Sequence, residues 1–166
     1  PAFVAGEFTR NQIRGLTVDM DSKGHCGIMW ESMGQGIIND VMVLNVPAGT
    51  FSYDDGSEAP YSGAHTYAKC GIAIKGNFTK SASLRNHLSD IKVWGVVGTP
   101  GNTGILLTST TPLSGQRANH NTLIRCYTRH LTRGFHVESG RDCVLLDCEG
   151  SNADYGCYVD TGRTKI

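Results

Sequence analysis

The chain has 166 residues, and its 15 basic side chains balance 15 acidic ones, so its formal net charge is zero at pH 7. This length suits one domain with a sizeable core. A neutral chain has no overall field that attracts nucleic acid or an anionic membrane, and no apolar run approaches the roughly 18 residues of a membrane span, so we expect neither nucleic-acid binding nor membrane insertion.

The composition favours an all-β chain. It includes 21 glycines, and Asn, Ser and Thr recur along its length, which is typical of many short strands joined by turns. The six cysteines have neither the spacing of a disulfide framework nor the CxxC pairs of a zinc site. We therefore predict no bound metal and no cofactor.

Short segments with apolar residues at alternate positions follow one another along the chain. Such alternation predicts strands with one face turned inward. In chain order the inward pairs are Leu16 and Val18, Ile28 and Trp30, Val41 and Val43, Ile72 and Ile74, Ile91 and Val93, Ile105 and Leu107, Ile124 and Cys126, Phe135 and Val137, Leu146 and Cys148, and Cys157 and Val159. They group into five two-part units, and the last two, "RCYTRHLTRGFHVESG" and "DCEGSNADYGCYVDTG", start 22 residues apart.

One unit buries a single face of each strand and has no core of its own, so the units must stack. Each strand then lies about 4.8 Å from its equivalents above and below. The pattern predicts a right-handed, single-stranded parallel β-helix of about five coils, forming one domain over residues 1–166. In this alignment Ile124 stacks on Ile91, and Cys126 on Cys148. A sandwich would instead show two-residue turn signals between successive strands.

Two coils carry long insertions, over about residues 45–70 and 108–120. The first is rich in Gly, Ser, Asp, Tyr and Pro. Long excursions from rigid scaffolds often form binding walls, although a solvated loop without function fits the same composition. Because neither terminus has a capping element, we expect a fragment of a longer chain, or ends closed by neighbouring subunits.

Three stretches, "NQIRGLTVDM", "NDVMVLNV" and "CVLLDCEGSNADYGCYV", resemble the coils of pectate-lyase-like β-helix proteins, most of all bacteriophage tailspikes and polysaccharide depolymerases. The likeness covers most of the chain outside the insertions and rests on coil pattern. It implies a homotrimer in the virion, made in the bacterial cytoplasm, or alternatively a secreted protein. It also implies a bacterial surface polysaccharide as partner, in a family that includes endoglycosidases, lyases, epimerases and non-catalytic binding proteins.

Aromatic and charged residues occupy the predicted outward face of the first strands. Trp94 and Tyr127 are expected one above the other, flanked by Lys92 and Arg125. Exposed rings can stack on sugars, and charged groups can bond hydroxyls or uronic carboxylates. The alternative is that both rings pack beneath the first insertion or against another subunit.

The outward face of the second strands brings two acids together. Glu138 is expected directly above Asp160, with His136 and Tyr158 beside them as substrate-binding residues. Two close carboxylates disfavour simultaneous ionisation, which keeps a proton donor available for glycoside hydrolysis. The same acids also fit an ordinary solvated ladder neutralised by Lys75 or Arg133.

Asp147 and Glu149 form a competing catalytic pair. They are two residues apart on one strand, so we expect both on one face, about 6.5 to 7 Å apart at the backbone. Further acids at Asp54, Asp55 and Glu58 lie on the insertion and are candidates for a third group.

The sequence predicts a tailspike-like protein that binds and hydrolyses a bacterial capsule or lipopolysaccharide. One alternative is a non-catalytic β-helix adhesin or structural virion protein. A second is a polysaccharide lyase or epimerase, in which Lys92 or Arg125 removes a proton beside a uronic carboxylate; no calcium is predicted.

Cys26 and Cys70 each precede a Gly-Ile pair, so they occupy equivalent positions and are expected within disulfide reach. The resemblance, through assembly in a reducing cytoplasm, implies that they stay reduced. The Asn-His pairs that start at Asn86 and Asn119 are expected to be one repeated turn with stacked amides.

Overall fold

A computed structural model of the protein describes residues 11–54, 63–77, 82–99, 101–109, 118–160 and 164–165. These residues form sixteen strands and no helix, so the chain is all-β in its described part. The first eight strands are β1 (Gln12–Asp19), β2 (Cys26–Glu31), β3 (Ile37–Val46), β4 (Thr50–Asp54), β5 (Ala64–Ala68), β6 (Cys70–Gly76), β7 (Ser83–Leu84) and β8 (His87–Gly95). The other eight are β9 (Gly101–Ser109), β10 (Ala118–Asn119), β11 (Thr122–Ile124), β12 (Tyr127–Val137), β13 (Gly140–Arg141), β14 (Cys143–Leu146), β15 (Glu149–Val159) and β16 (Thr164–Lys165).

Parallel pairing joins almost all of these strands. The first wall comprises β1, then β3, then β8, then β11 with the start of β12, and finally β14 with the start of β15. The second wall comprises β2, β6, β9 and the later parts of β12 and β15. A small third sheet contains β7, β10 and β13, and β16 extends the first wall beside β14. The predicted all-β, parallel architecture is therefore confirmed.

The second wall follows the predicted register throughout. Ile28, Ile72, Ile105, Phe135 and Cys157 are aligned on adjacent strands, and so are Trp30, Ile74, Leu107, Val137 and Val159. All of them are buried except Cys157 and Val159 on β15, which among the described strands pairs with β12 alone. Like stacks on like because each residue shares its inward direction with its partner across the pair.

The first wall departs from the predicted register after β8. Ile124 pairs with Ser89, not with Ile91, although it does lie over Leu146 as expected. Leu123 is the buried residue, whereas Ile124 is half-buried and Leu146 is 57% exposed. Leu16 on β1 pairs with Val41 as predicted, and it is 42% exposed on a strand that pairs with β3 alone among the described strands.

A left-handed residue that recurs along the first wall, at a position we call the corner, explains the shift. Arg125 has φ of 51°, and the equivalent residues Asp90 and Asp147 have φ of 56° and 53°. One such residue breaks the strict alternation of a strand. The core-facing residues on either side of Arg125 are therefore Leu123 and Cys126, which are three positions apart, whereas strict alternation expects two.

The predicted insertion over residues 45–70 contains an antiparallel hairpin of β4 and β5. Its rings Phe51 and Tyr67 pack on the outer face of the second wall, against Met29, Ala73 and Leu106. Residues that the alternation directs outward are thereby buried in a second apolar cluster. The second predicted insertion, 108–120, falls mostly outside the described residues.

Buried asparagines link the first wall to the third sheet. Asn86 Nδ2 donates to Asn121 Oδ1 over 3.0 Å, while Asn86 Oδ1 accepts from Trp30 Nε1, also over 3.0 Å. The predicted amide stack thus exists, but Asn86 is stacked on Asn121 and not on Asn119. The left-handed backbone expected at the asparagines belongs instead to Arg85 and His120.

Candidate functional site

Three columns of side chains cover the outer face of the second wall, each with one member from every strand of that wall. The first contains Cys26, Cys70, Thr103, Arg133 and Tyr155; the second Met29, Ala73, Leu106, His136 and Tyr158; and the third Glu31, Lys75, Thr108, Glu138 and Asp160. The hairpin packs over members from β2, β6 and β9. The six remaining members belong to β12 and β15 or directly follow them, and we call these six the tyrosine–acid cluster: Arg133, His136, Glu138, Tyr155, Tyr158 and Asp160.

Beneath the hairpin, the third column carries a buried ion pair in place of the expected solvated ladder. Lys75 Nζ lies 3.3 Å from Glu31 Oε1, and both side chains are almost wholly buried. Asn77 Nδ2 donates to the same Glu31 oxygen over 2.7 Å, and the Tyr53 hydroxyl donates to the other oxygen over 3.3 Å. The carboxylate therefore has three partners, as a buried charge requires.

The acids of the tyrosine–acid cluster directly follow neighbouring strands, β12 and β15, and each has a partner. His136 Nε2 is 2.7 Å from Asp160 Oδ2, and Glu138 Oε2 accepts from the Thr108 hydroxyl. The His136 side chain is 6% exposed, while that of Asp160 is 37% exposed. His136 Nδ1 is buried and has no hydrogen-bond partner within the described part of the chain.

Aromatic rings stand beside these acids. Tyr158 meets His136 edge-on at 5.3 Å between ring centroids, and Tyr155 meets Tyr158 at the same distance. The guanidinium of Arg133 lies 4.7 Å from the centre of the Tyr158 ring. Tyr155 is 51% exposed, so it presents a ring to solvent next to the acids.

Arg133 was predicted only as a neutralising charge, and Tyr155 was not predicted at all. Both directly precede a repeated glycine, in Arg133-Gly134 and Tyr155-Gly156, as Cys26 and Cys70 do earlier in the chain. A Cβ at Gly134 would lie 2.5 Å from Thr128 Oγ1, so this position requires glycine. The repeated X-Gly-apolar triplet was the available signal, because the residue before the glycine lies in the outward column.

The predicted aromatic pair of the first wall does not form a stack. Trp94 pairs with Arg129, while Tyr127 pairs with Lys92 on one side and Glu149 on the other. The two-residue register shift after β8 moves Tyr127 out of the Trp94 column. Trp94 is 38% exposed, and the described strands of the hairpin pack on the second wall.

Arg125 occupies the left-handed corner between β11 and β12 and does not flank Trp94. Its Nε and Nη2 donate to the two oxygens of Asp90 over 2.7 and 2.9 Å. This pairing lowers the pKa of Asp90 and raises that of Arg125, which works against Arg125 as a proton-abstracting base.

The competing acids Asp147 and Glu149 are both exposed but do not share one extended strand. Asp147 lies at the left-handed corner after β14, whereas Glu149 opens β15. The expectation of two carboxylates on one regular face is therefore wrong. Of the suggested third acids, Asp54 ends β4, while Asp55 and Glu58 lie outside the described residues.

Within the described ranges, no group of three or more His, Cys, Asp or Glu side chains is placed to hold a metal ion. No helix among those residues is long and apolar enough to cross a membrane. The chain matches no protein-family model, no curated protein and no solved structure.

Proposed function

We propose that this chain is a segment of a right-handed parallel β-helix that binds and hydrolyses a bacterial surface polysaccharide at the tyrosine–acid cluster. The proposal extends to a tailspike-like homotrimer in a phage virion, as the resemblance of the coils implies. Parallel, in-register columns with a final repeat of 22 residues support the β-helix. The aligned aliphatic core supports it as well.

One observation carries the functional proposal: two tyrosine rings adjoin two acids at the exposed end of the second wall. Tyr155 and Tyr158 offer apolar faces on which pyranose rings can stack. Asp160 and Glu138 follow equivalent valines on adjacent strands, so their backbones are about 4.8 Å apart. A sugar seated on the rings therefore has both carboxyl groups within reach.

The partners of the acids give them different roles in the proposed reaction. An ionised Asp160 can only accept hydrogen bonds, so His136 carries its proton on Nε2 and holds that carboxylate in place. Asp160 is the more suitable group to activate water or to attack the anomeric carbon. Glu138 then protonates the leaving oxygen, and Arg133 binds a hydroxyl or carboxylate of the adjoining sugar.

The test is cleavage of purified capsules and lipopolysaccharides, measured as new reducing ends. The parent chain is compared with Glu138→Gln and Asp160→Asn, each expected to lose activity at least about 100-fold while binding is retained. Asp147→Asn and Glu149→Gln are the matched controls on the other wall and should cleave normally. Full activity in both cluster variants, or its loss in Asp147→Asn or Glu149→Gln, would refute the site.

A non-catalytic adhesin is the second candidate, and a specific observation favours it. Both acids of the cluster already accept hydrogen bonds from the protein, Glu138 from Thr108 and Asp160 from His136. A parent chain that binds a polysaccharide, loses binding in Tyr155→Ala, and never releases reducing ends would support this candidate over the hydrolase.

A further inference from the structure

Two cysteines face each other at the edge of the hairpin, away from the tyrosine–acid cluster. Cys26 on β2 and Cys70 on β6 are register partners, and their sulfur atoms are 3.4 Å apart. Both are free thiols. Partners across a parallel pair have Cα atoms about 4.8 Å apart, within the range that a disulfide spans.

The two thiols differ in access. Cys26 is half-buried and lines a cleft of about 490 Å³ between the hairpin and the turn after β1. His25 and Phe51, stacked at 5.4 Å, form part of its wall, and Lys23 also lines it. Cys70 is fully buried behind Cys26 and belongs to the apolar cluster under the hairpin.

The hydrogen bonds define an order of reaction. The Cys70 thiol donates to Cys26 Sγ, and the Cys26 thiol donates to the carbonyl oxygen of Ile28 over 3.1 Å. The contact with Cys26, together with burial, raises the pKa of Cys70 well above its ordinary value. Cys26 is therefore the thiol that an incoming reagent meets first, and Cys70 stands behind it as the second.

We propose that Cys26 and Cys70 form a redox modification site whose co-substrate is a low-molecular-weight disulfide of the glutathione type. The Cys26 thiolate attacks one sulfur of the reagent, forming a mixed disulfide and releasing one thiol. Cys70 attacks Cys26 Sγ, which forms the Cys26–Cys70 bond, and the proton of Cys70 passes to the departing thiolate, which leaves as the second thiol. Two electrons and two protons pass from the cysteine pair to the reagent, which is reduced to two thiols.

The cross-link ties β2 to β6 beneath the hairpin. It closes a loop from residue 26 to residue 70 that contains β3 and the hairpin, and loops of this length give large stabilisation. We expect the melting temperature to rise on the order of 10 °C on oxidation. This inference is independent of the polysaccharide proposal, because its residues belong to the covered half of the wall.

Trypsin separates the two cysteines, which makes the test direct. Cleavage after Lys23, Lys69 and Lys75 places Cys26 in peptide 24–69 and Cys70 in peptide 70–75. The folded chain is equilibrated in glutathione buffers from fully reduced to fully oxidised, quenched by alkylation and digested. We expect the linked pair of peptides to appear as oxidised glutathione increases, and to disappear on return to reduced buffer.

Cys148 supplies an internal control. The hydrogen bond with Cys126 lowers the pKa of Cys148 to about 7, so Cys148 also reacts with glutathione disulfide. Its tryptic peptide covers residues 142–163 and differs in mass from the peptides that contain Cys26 and Cys70. The variant Cys70→Ser should retain glutathione on Cys26 without resolving it. If the parent chain stays unlinked in fully oxidised buffer, or keeps glutathione on Cys26 as Cys70→Ser does, the proposal is wrong.

Discussion

His136 Nε2 lies 2.7 Å from Oδ2 of Asp160, the residue that directly follows the strand next to its own. Their pairing joins two columns of the second wall, because His136 belongs to the second column and Asp160 to the third. The buried Nδ1 on the other side of the ring has no partner among the described residues. This arrangement holds one carboxylate beside the tyrosine rings and leaves the other ring nitrogen buried.

The first prediction concerns the tautomer of His136. An ionised Asp160 accepts only, so the neutral ring must carry its proton on Nε2. Long-range proton–nitrogen correlation spectra should show a protonated Nε2 and a bare Nδ1 in the parent chain. In Asp160→Leu the preference for Nε2 should weaken. A ring protonated on Nδ1 in the parent would contradict the contact.

The second prediction tests the corner of the first wall. Leu123 is 1% exposed and belongs to the core, whereas Ile124 is half-buried in an outward column. Leu123→Ala should lower the free energy of unfolding by about 2 to 5 kcal/mol. Ile124→Ala should cost about 1 kcal/mol. Urea titration measures both, and an equal or reversed order would restore the strict alternation.

The sequence was informative where strands are regular. The aligned inward residues of the second wall follow from period-2 alternation, since nothing interrupts those strands between the glycine and the last inward residue. The register of the first wall was mispredicted at Arg125, where an arginine takes the left-handed backbone that Asp90 and Asp147 take at the equivalent positions. Aspartate tolerates this backbone, so Asp90 and Asp147 were available signs of the corner, whereas the arginine gave none.

Burial of the outer face was beyond sequence reasoning for a different reason. Alternation states which way a side chain points, but not what covers it. Lys75 and Glu31 point outward as expected and are buried only because the hairpin returns over them. The strands of that hairpin do alternate, with Phe51 and Tyr53 on one and His65 and Tyr67 on the other, but their docking partner is a tertiary choice.

The third prediction separates Asn86 from Asn119. Asn86 accepts from Trp30 Nε1 and the Gly36 amide and donates to Asn121, so its loss leaves several buried groups unpaired. Asn86→Ala should cost about 3 kcal/mol of unfolding free energy. Asn119→Ala is the matched control and should cost less than about 1 kcal/mol, because Asn119 Oδ1 has no partner among the described residues. Equal losses in urea titration would argue against the Asn86–Asn121 ladder.

The fourth prediction concerns the buried pair of Lys75 and Glu31. Lys75→Met leaves a buried carboxylate without its cation and should cost about 3 to 5 kcal/mol of unfolding free energy. The double variant Lys75→Met with Glu31→Met should be more stable than Lys75→Met alone, because it removes the stranded charge. Thermal and urea unfolding of the parent, both single variants and the double variant give the coupling. A double variant less stable than Lys75→Met would refute the pairing.

The last prediction is a pH dependence from the exposed pair of Arg125 and Asp90. The guanidinium of Arg125 lowers the pKa of Asp90 in the folded chain, whereas an unfolded Asp titrates near about 3.9. The pair therefore adds stability that is fully present above the unfolded value and is lost as pH falls through the lower folded pKa. Urea midpoints from about pH 6 down to about pH 2.5 should decline less steeply in Asp90→Asn and in Arg125→Met than in the parent.

Because the Arg125 and Asp90 side chains are both largely exposed, the difference between parent and variants should be small and should shrink in about 0.5 M salt. If stability falls with pH equally in the parent and in both variants, the bidentate pairing of Arg125 with Asp90 does not persist in solution.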